Sequence, residues 1–575
     1  MRRDFSHLLS QPGWKRISPG PSAEAITLSQ QTGIFPQTAQ LCINRGLGSE
    51  EEVRQFLSPN PSLLHDPFLM KDMDKAVERL RAAVKNGENI LVCGDYDVDG
   101  ITSTFLLGRV IESLDGHATY FIPDRMRDGY GFSQRALEVA REKEVSLIVT
   151  VDCGVSSASE IRSASSMSID VIVTDHHEVP GDIPPACAVV NPRRPDCPYP
   201  FKELAGVGVA YKLALALVLP EVSEREILDE YLDVLALGAI ADLVPLVGEN
   251  RVFAKLGMDS LRQGKRKGIT ALKEVAGIKK GELDWEDIAF VLGPRINAAG
   301  RLGDSDSGLR LLLEEDYESA LMLAQLLDGM NQTRRKLDEE ILDEANAELQ
   351  ADTIPPCIVL SSERWHPGVI GVVSSKLVDT YWRPSILISL SGGIGRGSAR
   401  SIPGFDITKA LGANRDLLIS YGGHPRAAGF SIHKSQIPSL KARLGDLAAG
   451  VLESAETVPS IETEMELMLP SCSNAFAEEL IQLSPFGPGN PEPVFEVHGC
   501  DLVGRAVTGR RSTLRMAVQR DGVVRECFGF GMAPFASMVN TKGGRISLAF
   551  TPVVNQWRGE KRVQLKLKDL KFEDD

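Results

Sequence analysis

Across 575 residues no apolar run reaches about 18, so no stretch reads as a membrane span. The opening MRRDFSHLLSQPGWKR lacks the sustained apolar core of a secretory signal, and a cytoplasmic protein with no membrane partner is the expectation. Nine cysteines are scattered without a single CxxC pair, which argues against a zinc site or a disulfide framework and for reduced thiols. Positive charge is also in deficit: 63 Lys and Arg face 78 Asp and Glu, a formal net of −15. That excludes indiscriminate nucleic-acid binding but not a local basic groove, because the field that matters is the one at the site.

What remains is an ordinary soluble composition, 43% hydrophobic and 25% charged, in a chain long enough for three or four domains of about 100–200 residues each. Residues 1–73 read as an N-terminal extension with one amphipathic helix near 50–57. From residue 74 the pattern changes: apolar runs at 89–93, 117–122, 146–151, 169–174 and 187–190 alternate with helix-compatible segments at 101–114, 133–143 and 157–163. Strands alternating with helices predict an α/β domain with a largely parallel sheet, and in such sheets ligands bind beyond the carboxyl ends of the strands.

Those ends carry the acids. The first run stops at GDYDVDG, with Asp95, Asp97 and Asp99 at alternate positions; LIVTVDCG stops at Asp152, and VIVTDHH at Asp175, His176 and His177. Any one Asp after a strand is most simply a turn or cap residue, but three strand ends delivering acids and imidazoles to one edge point to a site. So many carboxylates repel one another unless cations, protons or basic groups offset them, and hard oxygen donors with histidine suit Mn²⁺ or Mg²⁺. Neighbouring side chains on an extended backbone face opposite ways, so His176 and His177 are expected to divide the work, one on metal and one on substrate.

GDYDVDG, VDCG and TDHH, in that order, resemble the three motifs of the DHH phosphoesterase superfamily. Downstream, LGAIADLVPL, GPRINAAGR, RWHPGVIGVVSSKL, GRGSARSIPGFDI and YGGHPRAAGF resemble its bacterial single-strand-specific exonuclease branch. The resemblance implies a 5′-to-3′ exonuclease on single-stranded DNA that uses two divalent ions, Mn²⁺ or Mg²⁺, to activate water, and serves repair and recombination. It implies metal ligation by Asp95, Asp97, Asp99, Asp152, His176 and Asp242, with catalysis by these acids from Asp97 onward together with both histidines. Asp152, from the middle strand, is the expected bridging carboxylate. One departure stands out: where some superfamily members carry a metal-binding histidine four residues before the middle acid, this chain has Cys93, and Asp95 is the expected substitute. Asp242 alone would read as a surface acid after the helical run 231–241; the resemblance makes it a ligand, which requires that helix to fold back over the sheet edge.

Residues 291–301 read as a loop bearing Arg295, Asn297 and Arg301, and arginine matches phosphate oxygens bidentately. Both guanidiniums could otherwise pair with the site carboxylates. A long connecting helix is predicted over 314–350, its Arg334, Arg335 and Lys336 face mostly solvated, after which a smaller DHHA1-type α/β domain spans 351–455. There Ser398 and Arg400, at i and i+2 of a strand, and His424 in a glycine-rich stretch are candidate substrate contacts, with Arg301, Ser398 and Arg400 gripping a 5′ phosphate. Residues 456–575 hold five short strand-like runs, the signature of an OB-like barrel. From Phe495 onward, fourteen Lys and Arg face nine Asp and Glu, and Arg510, Arg511, Trp557 and Arg558 are candidate contacts to single strands. The resemblance suggests a monomer, with a single-strand-binding protein and a helicase as candidate partners. The competing readings are a DHH-type pyrophosphatase or short-oligonucleotide phosphodiesterase, against which the basic barrel speaks, and a non-catalytic replication scaffold, which would be expected to have lost the acids.

Overall fold

The computed structural model describes residues 13–573 apart from 126, 130, 180, 280, 350–353, 453–458 and 558; the side chains of Arg511 and Trp557 are likewise outside the described set. Two compact units divide the chain. One comprises Leu64–Val244 and Leu256–Val458, the other Ser10–Leu63, Pro245–Lys255 and Pro459–Asp575.

In the first unit a five-stranded sheet is built from β1 (Asn89–Cys93), β2 (His117–Phe121), β3 (Val145–Val151), β4 (Asp170–Thr174) and β5 (Ala188–Val190). Its order is β2-β1-β3-β4-β5 and every pairing is parallel, as the alternation of apolar runs and helices predicts. Strands β1, β3 and β4 are buried on both faces, which is why their sequences are continuous apolar runs and not alternating ones. Helix α1 (Val98–Ser113) follows β1 and packs against α2 (Gly206–Val218) and α3 (Glu224–Ala241). Sandwiched between sheet and helices, α1 is buried almost all round, consistent with its many apolar and small residues.

The stretch read as a loop at 291–301 is helical. Residues Ile288–Leu292 form a π-helical turn that runs directly into α4 (Gly293–Leu302). Pro294 sits in the first turn of α4, directly after the π-helical turn, and the glycines act as contact surfaces: a Cβ on Gly300 would lie 2.9 Å from the Tyr96 carbonyl oxygen. The long connector is α5 (Tyr317–Glu348), 32 residues. Its charged face is not uniformly solvated. Arg334 turns inward to Asn331 Oδ1 and Asp338 Oδ2, leaving its side chain 11% exposed, while Lys336 stays 78% exposed.

A second sheet follows in the same unit, from β6 (Ile358–Ser362), β7 (Ser385–Ser391), β8 (Ile394–Arg400), β9 (Leu418–His424) and β10 (Ala427–His433), with α6 (Ile370–Tyr381) after β6. Its order is β9-β10-β8-β7-β6, parallel only between β6 and β7. The glycine-rich YGGHPRAAG is therefore a β-hairpin, whose turn joins His424 to Ala427.

The second unit contains the C-terminal barrel. Strands β11 (Phe495–Thr508), β12 (Leu514–Arg520), β13 (Val523–Gly529), β14 (Ile546–Trp557) and β15 (Glu560–Phe572) close in the order β11-β12-β13-β15-β14, the connectivity of an OB barrel. Three helices, Ala23–Thr32, Pro36–Asn44 and Glu50–Leu57, belong to this unit, tied in by Arg45, which pairs with Glu464 at 3.0 Å. Among the described residues no helix is long and apolar enough to cross a membrane.

Candidate active site

The acids at the ends of β1, β3 and β4 converge as their parallel alignment requires. His176 Nε2 lies 3.1 Å from Asp152 Oδ1, 3.8 Å from Asp242 Oδ2 and 3.9 Å from Asp99 Oδ2. Two donor sets form, Asp152–His176–His177 and Asp99–His176–Asp242, each with atoms within 4.8 Å of one another. His176 is common to both, whereas Asp152 belongs to one. Asp242 reaches the cluster because α3 folds back over the sheet edge and ends there. Both histidines enter one set, against the alternation expected of a strand. The strand has already ended at Thr174, and the Asp175 carboxylate draws the chain into a turn by accepting from the amides of His176 (2.7 Å) and His177 (3.0 Å).

The electrostatics are those of a site built for cations. Burial pushes the carboxyls of Asp95, Asp152 and Asp242 well above the usual carboxylate range, and their acidic neighbours push them further. Asp99 is driven up to about 7 by burial and then by Asp97. His176, buried, is pushed down to about 3, so its ring is neutral and able to ligate. Although Asp152 Oδ1 and His176 Nε2 are close, neither has a partner in hydrogen-bond geometry, and Asp95 Oδ1 is equally orphaned. Buried polar atoms without partners are rare, and hard oxygen and imidazole donors aimed at shared points fit a divalent ion such as Mn²⁺ or Mg²⁺.

Several residues to which the sequence assigned no role hold this geometry. Asp175 accepts from the Val155 amide at 3.0 Å and takes His177 Nδ1 at 2.8 Å; burial would lower the pKa of His177, but Asp175 more than offsets it and the ring is raised. Asp99 is held by the first turn of α2, through the amides of Gly206 (2.7 Å) and Val207 (2.8 Å). Gly206 has no room for a side chain, since a Cβ would lie 2.5 Å from Asp152 Oδ1. Asp152 (φ 59°) and Leu243 (φ 60°), one a donor and the other next to Asp242, are both non-glycine residues in the left-handed region. Such strain costs about 1–2 kcal/mol per residue and concentrates at functional sites. The glycine-rich LAGVGVAY was the available signal for the α2 turn.

Asp95 and Asp97 stand outside both donor sets. Asp97 is the N-cap of α1, its Oδ1 accepting from the amides of Asp99 and Gly100; Asp95 is buried beside it, its carboxylate stabilised by the amides of Tyr96 and Gly131. Asn297 Oδ1 accepts from Val98 N at 2.9 Å. Arg295 is engaged elsewhere, with Asp328 at 2.9 Å and the Val291 carbonyl at 2.7 Å, so it pairs with α5 and with none of the site acids.

Arg301, at the end of α4, is different. Its hydrogen bond is to the Gly368 carbonyl at 3.2 Å, and burial, then Arg125, push it down to about 10. Arg400 reaches Ser398 Oγ (3.2 Å) and the Ala399 carbonyl (2.8 Å) and is likewise lowered by burial and by Arg125. Arg125 itself lies 5.1 Å over the Tyr96 ring. Among the described residues neither Arg301 nor Arg400 has a carboxylate within ion-pair distance, and Asp338 acts on Arg301 only from further off, so positive charge predominates in this arginine pocket. A Cβ on Gly371, in the first turn of α6, would come within 2.8 Å of Ser398 Oγ and 3.1 Å of Arg400, so only glycine lets that turn approach. His424 is exposed at the end of the edge strand β9.

In the barrel unit, Arg510 is exposed on a short turn, while Arg558 and the side chains of Arg511 and Trp557 lie outside the described residues. The barrel also carries a groove of about 370 Å³ lined by Arg505, Val507, Arg515, Phe528 and Asn555 among others. Phe528 meets Phe530 edge-on at 5.5 Å, and Phe530 is 64% exposed.

Known proteins share this architecture. Family models match at residues 89–239 (DHH family, N-terminal domain), 355–450 (DHHA1 domain) and 463–569 (RecJ OB domain). The single-stranded-DNA-specific exonuclease RecJ of Bacillus subtilis is 38% identical over 566 residues, covering 98% of this chain and 71% of that protein. RecJ of Escherichia coli is 36% identical over 554 residues, covering 92% of this chain and 95% of its own. The crystal structure of Thermus thermophilus RecJ in complex with Mn²⁺ superposes with a TM-score of 0.84 at 31% identity, covering 98% of this chain and 80% of that one; the Mg²⁺ complex gives 0.78 at 30% identity. On sequence, domain content and fold alike, the chain belongs to the RecJ family of the DHH superfamily.

Proposed function

We propose that this protein is a metal-dependent exonuclease that degrades single-stranded DNA from the 5′ end to mononucleotides, in the service of DNA repair and recombination. The observation that carries it is the pairing of opposites on one unit: a crevice of uncompensated carboxylates and a pocket in which guanidinium charge predominates, with α4 contacting the acidic loop through Asn297 and the pocket through Arg301. A phosphodiester with a phosphate at its 5′ end complements both.

Asp99, Asp152, Asp242, His176 and His177 would hold two divalent cations, with His176 common to both donor sets and Asp95 and Asp97 beside them. Mn²⁺ or Mg²⁺, when bound, neutralises the phosphodiester and lowers the pKa of the attacking water. The residues of the chain do the rest. Asp175 fixes the tautomer and orientation of His177, and the α2 amides aim the Asp99 carboxyl at the crevice and partly offset the burial that raises it. Arg301, Arg400 and Ser398, with Arg125 beside them, would bind the terminal 5′ phosphate and set the adjacent bond over the acids, which supports the 5′-to-3′ polarity. The barrel groove supports a second grip, with Arg505 and Arg515 for phosphates and Phe528 for base stacking.

The test offers the full chain 5′-phosphorylated single-stranded DNA, duplex DNA, a dinucleotide and pyrophosphate, with Mn²⁺ or Mg²⁺. Mononucleotide release from the 5′ end of single strands is the expected result; hydrolysis of only the dinucleotide and pyrophosphate would overturn it.

A further inference from the structure

We propose that Asn297 is a positioning residue for the acidic loop of the metal centre and not a substrate contact. The amides at the start of a helix need outside partners, and those of α1 are fully accounted for. Asp97 supplies three: its side chain accepts from Asp99 N (3.0 Å) and Gly100 N (3.1 Å), and its carbonyl from Ile101 N (2.9 Å). The remaining amide, Val98 N, is satisfied from 199 residues away, by Asn297 Oδ1 at 2.9 Å. Val98 is 1% exposed, so water is poorly placed to substitute.

The rest of α4 is shaped around the same contact. One turn after Asn297, Gly300 lies against the carbonyl oxygen and Cβ of Tyr96, 2.9 and 3.1 Å from where its own Cβ would be. Ile296 and Ile101 both close on Gly308, at 2.9 and 2.8 Å from where its Cβ would be, so α4 and the first turn of α1 share an apolar neighbour that does not involve Asn297. The asparagine thus adds direction to a contact that exists without it. Tyr96 and Val98 flank Asp97, and Asp99 is the next residue, held from its other side by α2. Losing the Asn297 bond frees the loop between two clamps, and the carboxylates it carries lose their shared aim.

The test measures Mn²⁺ affinity of the full chain by electron paramagnetic resonance of the free ion, for wild type, Asn297→Ala, Asn297→Asp and Gly300→Ala. Melting and binding of 5′-phosphorylated single-stranded DNA are measured alongside in chelator. Asn297→Ala should weaken Mn²⁺ binding by about 10-fold or more, as loss of outer partners of metal ligands does, with cooperative melting and metal-free DNA affinity retained. Asn297→Asp should restore affinity to within about threefold, because a carboxylate oxygen caps the same amide. Gly300→Ala should weaken Mn²⁺ binding in the same direction while leaving Asn297 intact, and it decides the matter if Asn297→Ala does not fold. Wild-type Mn²⁺ affinity in Asn297→Ala or in Gly300→Ala, or an Asn297→Asp as weak as the alanine, would overturn the proposal. So would loss of DNA affinity at unchanged Mn²⁺ affinity, the mark of a substrate contact. The inference rests on the metal reading above: a wild-type chain that binds no Mn²⁺ sinks that reading, whereas wild-type binding with unaltered variants sinks only the positioning role.

Discussion

The acidic crevice and the arginine pocket of the first unit are opposite solutions to one electrostatic problem. In the crevice, burial drives carboxyls up toward their neutral forms; in the pocket, burial drives guanidiniums down, Arg301 to about 10. Some buried charges elsewhere in the chain are paired, as Arg266 is with Asp233 at 2.7 Å and Arg45 with Glu464 at 3.0 Å, while Arg251 is held by the Phe56 carbonyl. What sets the two regions apart is like charges gathered together: a structural ion pair closes on itself, whereas a cluster of one sign is complemented by a counter-ion or an oppositely charged substrate.

Removing a carboxylate from the crevice should give the largest effect. Asp152→Ala is expected to abolish turnover, by about 10³-fold or more given the size of charge-stabilising effects, while metal-free melting stays close to wild type because the buried, orphaned carboxyl has gone even though the left-handed backbone remains. A variant with wild-type rates would break the comparison. Next comes the pocket. Arg301→Ala or Arg400→Ala should raise KM for 5′-phosphorylated strands by about 30-fold or more, as loss of one partner of a buried charge contact does, with a smaller effect on 5′-hydroxyl strands and unchanged Mn²⁺ affinity; equal losses on both substrates would mean the pocket does not read the terminal phosphate. Gly206→Ala should cut Mn²⁺ affinity by about 10-fold through its collision with Asp152 Oδ1, measured by calorimetry.

Protons and cations compete for the same oxygens, so Mn²⁺ binding should weaken as the pH is lowered through about 7, where Asp99 takes up its proton. The sign for stability is opposite in the metal-free protein. An acid whose folded pKa is raised binds more protons folded than unfolded, so its contribution to stability falls as pH rises from the ordinary carboxylate value toward about 7, and Mn²⁺ should restore the melting temperature above that. The smallest effect belongs to the barrel: Arg515→Ala should lower the slope of log affinity against log salt by about 0.7 for single strands and leave turnover of very short substrates unchanged.

Much of the crevice was legible because its acids follow uninterrupted apolar runs, and a buried parallel strand can be recognised locally. The barrel was legible for a similar reason, its short strands and turns being written in consecutive residues. Arg295 and Arg301 were not distinguishable by sequence, being the same residue type six positions apart on one helix. Only packing sends the first to Asp328 and leaves the second facing Gly368 without a carboxylate. The glycines and proline of 288–302 read as breakers because their local preference is for loops, yet they are helical here, with tertiary contacts occupying the space where side chains would be.

By itself the sequence determined the parallel sheet, the long connector, the five-stranded barrel and the residue types at the strand ends, because apolar periodicity and terminal acids act over a few residues. Tertiary structure alone decided that Asp242 meets His176, that His176 is common to two donor sets, that both histidines face one of them, and that Asn297 reaches back 199 residues to the loop that bears the acids. Those are relations between distant segments, set by how helices fold over a sheet edge, and no local preference encodes them.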